Sequence, residues 1–337
     1  MKLKVGLIGL GRLGRVYARD LSSRIAEARL VAVADTNGAL AGQIAAEFDV
    51  PRAFDDPMEL LHSTDVDAAV IASPTHTHKA LVIAAAQSGK PAFCEKPLAL
   101  SVGECREMQA AVEARGSYFQ MGFMRRFDPG YAAAHRQIAE GRIGRPVVFK
   151  STSRDPYPPS LEYANPASSG GLLVDMGIHD FDLARWFIGD VASVSAAGGV
   201  LAYPEMATVG DIDNAIATLV FTDGRLGVVD LSRNGVYGYD ILTELLGTEG
   251  TIRIGYLRET PVLMMTKNNV AHDTVPYFME RFERAYTLQL QNFAQNVVRD
   301  REPPVTLHDG IEALRIALAA TAAYRSGQPA AVTGITV

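Results

Sequence analysis

Cysteine is nearly missing from this chain: Cys94 and Cys105 are the only two among 337 residues. They stand eleven apart, outside any CxxC and away from histidine at zinc-ligand spacing. Neither a disulfide framework nor a metal site is expected. No apolar run reaches ~18 residues, so no membrane-spanning helix is expected. No charged segment with an apolar stretch behind it precedes the strand-like run at Lys4, so no secretory leader is read. Basic residues are not in excess: 32 Lys and Arg stand against 38 Asp and Glu, for a net charge of −6. That balance argues against nucleic acid or an anionic membrane as partner. A soluble, cytoplasmic protein is the expectation. What is present is globular in composition, with 48% hydrophobic and 21% charged residues. The length exceeds what one core usually supports, which predicts two domains.

Strand and helix patterns alternate over the first 124 residues. "KVGLIGL" is a short apolar run, followed by a helical stretch from Arg12 to about Ala28; "RLVAVAD", "VDAAVIAS", "PAFCEKP" and "SYFQMGFM" continue the series. Continuous apolar strands between helices predict a parallel sheet covered on both faces. The pattern changes near 122–126. From about Val191 strands dominate, with a hairpin signal at Asp223-Gly224 and further strand pairs in "ILTELLGTEGTIRIGYL" and around Asn268-Asn269. Strands without crossover helices predict a large, mostly antiparallel sheet. Two helices, about 278–299 and 309–326, follow. The expected architecture is an α/β dinucleotide-binding domain at 1–124 and an α+β domain at 125–337.

Gly9-Leu10-Gly11-Arg12-Leu13-Gly14 is a GxGxxG that follows a strand and opens a helix. Asp35 closes the second strand 21 residues after Gly14. Together they form the dinucleotide fingerprint. Gly9 permits the turn, Gly11 lets the pyrophosphate approach, and Gly14 lets helix and strand pack. Asp35 would accept from the ribose hydroxyls and repel a 2′-phosphate, so NAD is expected over NADP, with Arg12 the one residue able to reach a phosphate. Glu95-Lys96-Pro97 ends the strand "PAFCEKP", at the sheet edge where ligands bind. A lysine there can hydrogen-bond a reacting hydroxyl and stabilise charge on its oxygen.

The segment "GGLLVDMGIHDFDLARWF" (170–187) reads as one helix that is apolar on both flanks and largely buried. Asp175, His179 and Asp182 nevertheless fall within roughly 60° of one another on it. Gly170-Gly171 leaves space at the helix entrance where a ligand can approach. Trp186 lies on the same side, for core packing or for stacking on a sugar face.

With these motifs in place, the chain resembles the glucose–fructose oxidoreductase/inositol dehydrogenase family (Gfo/Idh/MocA). The likeness rests on GxGxxG, Asp35, "SPTHTH", "CEKPLAL" and the DxxxH of Asp175 and His179. "GFMRRFDPGY", "SRDP", "GYD" and "RFERAY" resemble its myo-inositol dehydrogenase branch. The resemblance implies NAD-dependent oxidation of a secondary alcohol on a cyclitol, myo-inositol to its 2-keto product. Lys96, Asp175 and His179 are then the catalytic residues. His179 is the implied base, Asp175 contacts a substrate hydroxyl or orients the imidazole, and Asp182 is a further orienter. Cofactor contacts are implied for the glycine loop (residues 9–14), Asp35, Ser73, Pro74, Thr75, His76, Glu95 and Lys96. Substrate contacts are implied for Lys96, Arg126, Asp155, Asp175, His179, Tyr239 and Tyr286. Tyr237, two residues from Tyr239, would share its face on a strand. Asp155 stands where some inositol dehydrogenases carry Asn. His76 and His78 either line the nicotinamide side or are polar residues of a helix start. The resemblance also implies a homo-oligomer, dimer or tetramer, formed through the open sheet. An aldose or other polyol dehydrogenase, a non-catalytic NAD-binding regulator, and a hydrolase or dehydratase using NAD transiently stand as alternatives.

Overall fold

The structure, a computed structural model, describes residues 2–335. The chain divides into two compact units. The first comprises residues 2–127 together with Arg284–Glu312; the second comprises Asp128–Glu283 and residues 313–335. This differs from the two contiguous domains expected at 1–124 and 125–337. The return segment joins the first unit because its side chains complete that unit's core: Phe293 packs edge-on against Phe93, and the N–H of Met121 donates to the carbonyl of Val305.

The first unit alternates β1 (Leu3–Ile8), α1 (Arg12–Ser23), β2 (Ala28–Ala34), α2 (Gly38–Glu47), β3 (Arg52–Phe54), α3 (Pro57–His62), β4 (Ala68–Ile71), α4 (Thr75–Gln87), β5 (Ala92–Glu95), α5 (Val102–Arg115) and β6 (Phe119–Gly122). The strands lie in the order β3-β2-β1-β4-β5-β6. Every pairing is parallel. This doubly wound order places its ligand crevice beyond the carboxyl ends of β1 and β4, where the strand order reverses. Strands β4, β5 and β6 are buried throughout, as a sheet covered on both faces requires. Side chains cap several of the helices: Asp56 accepts from Met58 N–H at α3 and Ser101 from Glu104 N–H at α5.

The second unit carries α6 (Pro129–Ala139), β7 (Pro146–Arg154), α7 (Leu161–Ala164), α8 (Pro166–Ser169), α9 (Leu172–Asp175), α10 (Ile178–Phe187), β8 (Val191–Gly199), β9 (Asn214–Phe221), β10 (Leu226–Ser232), β11 (Asp240–Gly247), β12 (Thr251–Ile254), β13 (Met264–Met265) and β14 (Val270–Ala271). Then come α11 (Phe278–Val298), α12 (Leu307–Ser326) and β15 (Ala330–Ala331). Helix α11 has non-helical backbone at Phe282, next to where it leaves this unit. The main sheet runs β12-β11-β7-β10-β9-β8-β15. It is antiparallel except for β7 against β10. The Asp223-Gly224 hairpin joins β9 to β10 as expected, with Gly224 at φ +85°. The pair around Asn268-Asn269 forms a separate two-stranded sheet and does not extend the large one.

Strand β9 alternates cleanly. Ala215, Ala217, Leu219 and Phe221 are buried, whereas Ile216, Thr218 and Val220 face outward. The buried face of the sheet packs under α9 at β9 and under α10 at β7 and β10. The outward face is apolar in one row across four strands: Val220 pairs with Leu226, Leu226 with Val148, and Val148 with Leu246. Among the described residues no helix is long and apolar enough to cross a membrane.

Candidate active site

The glycine loop is shaped by contacts that only glycine permits. Gly9 has φ +88°, and a Cβ there would lie 2.5 Å from the N of Ser73, at the end of β4. A Cβ on Gly14 would lie 2.0 Å from the carbonyl of Gly9. Gly11 differs: nothing stands within 4 Å of its Cβ position. That opening, at a helix start with no side-chain cap and no acidic residue in its first turn, suits a pyrophosphate drawn by the N–H groups of α1. Asp35 accepts from Leu10 N–H and Asn37 N–H, each at 2.9 Å. It thereby ties the loop to the end of β2, where a ribose would meet it. These residues fit a dinucleotide.

Lys96 directly follows β5, and its bond to Pro97 is cis. Two buried groups fix its backbone. His78 places Nδ1 2.9 Å from the Pro97 carbonyl and Nε2 2.9 Å from the Ser73 carbonyl, so its ring sits between the β4 and β5 loop ends and its one N–H serves either of them. Burial pushes the His78 imidazole below its usual range, against the pull of those carbonyls. Glu95 accepts from the Lys96 N–H at 3.1 Å, from the Tyr17 hydroxyl and from Gln289 Nε2 at 3.1 Å. Gln289 Nε2 also reaches the Tyr17 hydroxyl at 2.6 Å. Burial pushes Glu95 up despite these donors, and pushes Tyr17 well up, reinforced by the adjacent Glu95. Glu95 is therefore an interior anchor beneath Lys96. Gly122 makes room for it, since a Cβ there would sit 2.8 Å from Glu95 Oε1.

The segment 170–187 is not one helix, contrary to the expectation. Helices α9 and α10 are separated at Met176–Gly177, where Gly177 N–H returns to the Leu172 carbonyl. A Cβ at Gly177 would lie 2.5 Å from the Leu173 carbonyl, so the chain presses too tightly there for any other residue. Asp175 thus ends α9 and His179 lies in the first turn of α10. Asp175 is half-buried and His179 is buried, 8% exposed. The Gly170-Gly171 space is filled from within the protein: a Cβ on Gly171 would lie 2.6 Å from Asp211 Oδ1, which accepts from Leu172 N–H at 3.0 Å.

Asp175 has two neighbours that sequence reasoning missed. The Tyr163 hydroxyl on α7 donates to its Oδ1 at 2.9 Å. Arg233, just beyond β10, brings Nη2 to 4.0 Å from its Oδ2. Arg233 was findable as a lone cation ending the apolar strand "LGVVDLS". Tyr163 gave no signal inside a Pro- and Ser-rich loop.

Other expected residues are placed as follows. Arg126 belongs to the first unit, and its Nη2 donates to Asp309 Oδ1 at 3.0 Å. Asp155 follows β7, with its N–H on the Ser232 carbonyl. Tyr237 and Tyr239 precede β11 and do not share a face. Gly238 between them has φ +138°. Tyr237 is exposed and donates to Asp240 Oδ2 at 2.8 Å. Tyr239 is 5% exposed, edge-on to Tyr277 and Phe282. Tyr286 is equally buried, beside Tyr17 in the first unit. Trp186 stacks on His135 with centroids 4.1 Å apart. Ser73 and Thr77 hydroxyls lie 2.6 Å apart at the start of α4, Pro74 and His76 are exposed, and Thr75 is half-buried. Asp182 is buried. Both cysteines are buried and free of disulfide. Burial pushes the Cys105 thiol up to about 12.

Comparison with known proteins covers nearly the whole chain. Residues 3–123 match the NAD-binding Rossmann fold of an oxidoreductase family, and residues 135–332 match that family's C-terminal alpha/beta domain. The chain is 40% identical over 329 residues to the scyllo-inositol 2-dehydrogenase (NAD(+)) of Bacillus subtilis strain 168, covering 97% of this chain and 96% of that protein. It is 39% identical over 320 residues to the myo-inositol 2-dehydrogenase of Thermotoga maritima, covering 94% and 95%. The solved structure of scyllo-inositol dehydrogenase from Lactobacillus casei, with NAD(H) and scyllo-inositol bound, superposes with a TM-score of 0.94 at 31% identity, covering 99% of this chain and 100% of that one.

Proposed function

Because the chain belongs to the Gfo/Idh/MocA oxidoreductase family and is an NAD-dependent oxidoreductase, we propose that it oxidises one ring hydroxyl of an inositol to the ketone. The observation that carries this reading is the near end-to-end likeness to inositol dehydrogenases, together with Lys96, Asp175 and His179 in their expected motifs. Bound NAD supplies the hydride acceptor. Lys96 hydrogen-bonds the reacting hydroxyl and stabilises the negative charge that grows on its oxygen. His179 takes the hydroxyl proton, since imidazole exchanges protons near neutrality. Asp175 accepts from a substrate hydroxyl and supports the imidazolium. Arg126 and Asp155 are candidates for further hydroxyl contacts; Tyr239 and Tyr286 we assign to packing, given their burial.

myo-Inositol, oxidised at its 2-position, is the first substrate we assign. scyllo-Inositol is a second reading, favoured by the Bacillus relative. The two differ only at that carbon, so both give the same ketone. Initial rates with NAD and NADP across both inositols and a set of aldopyranoses test the assignment. Turnover of an inositol with NAD is expected; activity confined to an aldopyranose overturns it. We further propose that the apolar row on the outward sheet face pairs with a second copy, and that the enzyme works in the cytoplasm, in keeping with its two unpaired thiols.

A further inference from the structure

Arg233 is 1% exposed, the largest of the fully buried side chains. A buried guanidinium needs compensation, because burial of an unpaired charge is costly. Asp211 provides part of it: Arg233 Nη1 donates to Asp211 Oδ2 at 2.6 Å. Asp211 Oδ1 is meanwhile committed to the Leu172 N–H that opens α9. The second nitrogen, Nη2, is buried with no acceptor at hydrogen-bond distance. Asp175 Oδ2 lies 4.0 Å from it. The other oxygen of Asp175 carries the exposed Tyr163 hydroxyl. Charged and titratable groups around Asp175 include Tyr163 from α7 and Arg233 from the end of β10, with Asp211 behind Arg233. His179 follows four residues along the chain.

We propose that Arg233 is a positioning residue for Asp175. Braced by Asp211, it holds Asp175 as a fixed, ionised acceptor, so that proton acceptance falls to His179. The inference rests on the roles given above to Asp175 and His179. Asp211 sets the strength of the device: by neutralising most of the guanidinium charge, it leaves a graded rather than a full cation beside the catalytic carboxylate.

The test is the pH profile of kcat/KM in Arg233→Met, Arg233→Lys and Asp211→Asn, beside Asp175→Asn and His179→Asn. Removing a cation makes nearby acids and imidazoles protonate more readily; unmasking one does the reverse. The sign is the same whether Asp175 or His179 sets the acidic limb. Arg233→Met is therefore expected to move that limb to higher pH by about one unit, with kcat/KM lowered by up to about 100-fold. Asp211→Asn keeps an oxygen for Leu172 N–H and is expected to move the limb to lower pH. Arg233→Lys keeps the charge and restores the limb, with NADH binding unchanged in all three. A merely structural Arg233 would lower melting temperatures without opposite shifts, and limbs of Arg233→Met and Asp211→Asn that coincide with the unsubstituted enzyme's overturn the proposal. If Arg233→Met does not fold, Asp211→Asn and Arg233→Lys carry the same decision. Should Asp175→Asn and His179→Asn both turn over normally, the mechanism itself fails rather than this refinement of it.

Discussion

Asp35 and Asp309 illustrate how single carboxylates act in different ways on the first unit. Asp35 holds two backbone N–H groups at the nucleotide loop and presents its charge where an adenosine ribose would sit. Replacing it with Ala is expected to raise the KM for NAD about 10-fold or more and to leave NADP less affected, narrowing the preference between them; steady-state rates with both cofactors check this. Asp309 is a stability group. Burial alone would raise its carboxyl, but the Arg126 guanidinium and the Thr306 hydrogen bonds outweigh that and hold it below the usual range. A depressed carboxyl contributes stability above its unfolded value of about 3.9 and loses it as the pH falls through the folded value. Urea midpoints of Asp309→Asn should therefore lie below those of the unsubstituted protein near neutrality and converge with them below about pH 4. Asp35's place beside the glycine loop was legible because it is set by spacing from the glycines. The Arg126–Asp309 pair was not, since 183 residues separate its members and no local pattern links them.

The loop from β1 to α1 permits a sharper test, because its glycines differ in what crowds them. Gly14→Ala puts a methyl into the Gly9 carbonyl and is expected to cost about 1–3 kcal/mol or more of stability and to lose NAD binding. Gly11→Ala meets open space, so its melting temperature should stay unchanged while NAD binding weakens, because the methyl stands where a phosphate must approach. Calorimetry and NADH fluorescence separate the two; equal behaviour would mean that the loop does not cradle a pyrophosphate. Most elements were readable from apolar periodicity and turn residues, including the parallel series and the Asp223-Gly224 hairpin. The break at Gly177 was not. Its cause is the press of the Leu173 carbonyl, Phe181 and Leu231 around that glycine, and tertiary crowding leaves no mark on helical periodicity. For the same reason the Gly170-Gly171 pair suggested room for a ligand, when its space admits Asp211.

The proposed assembly belongs to the sheet as a whole. Val220, Leu226, Val148 and Leu246 form a cross-strand row on the outward face, and Ile216, further along the same face of β9 beyond Thr218, is 54% exposed. Exposed apolar surface of this continuity marks a contact surface. Light scattering should find an oligomer, and Ile216→Glu with Val220→Lys should lower its mass while leaving NADH binding in place. A dilute monomer before substitution would reject the idea. Alternation along β9 made the row foreseeable in outline, but which strands stand side by side came only from the fold.

The return of residues 284–312 to the first unit has a practical meaning for anyone wishing to borrow its nucleotide module. A gene fragment cut after Phe127 would leave Glu95 without Gln289, Phe93 without Phe293 and Met121 without the Val305 carbonyl. Transplanting the module takes two pieces of coding sequence, spliced by a short bridge, where its strand order alone would advertise one.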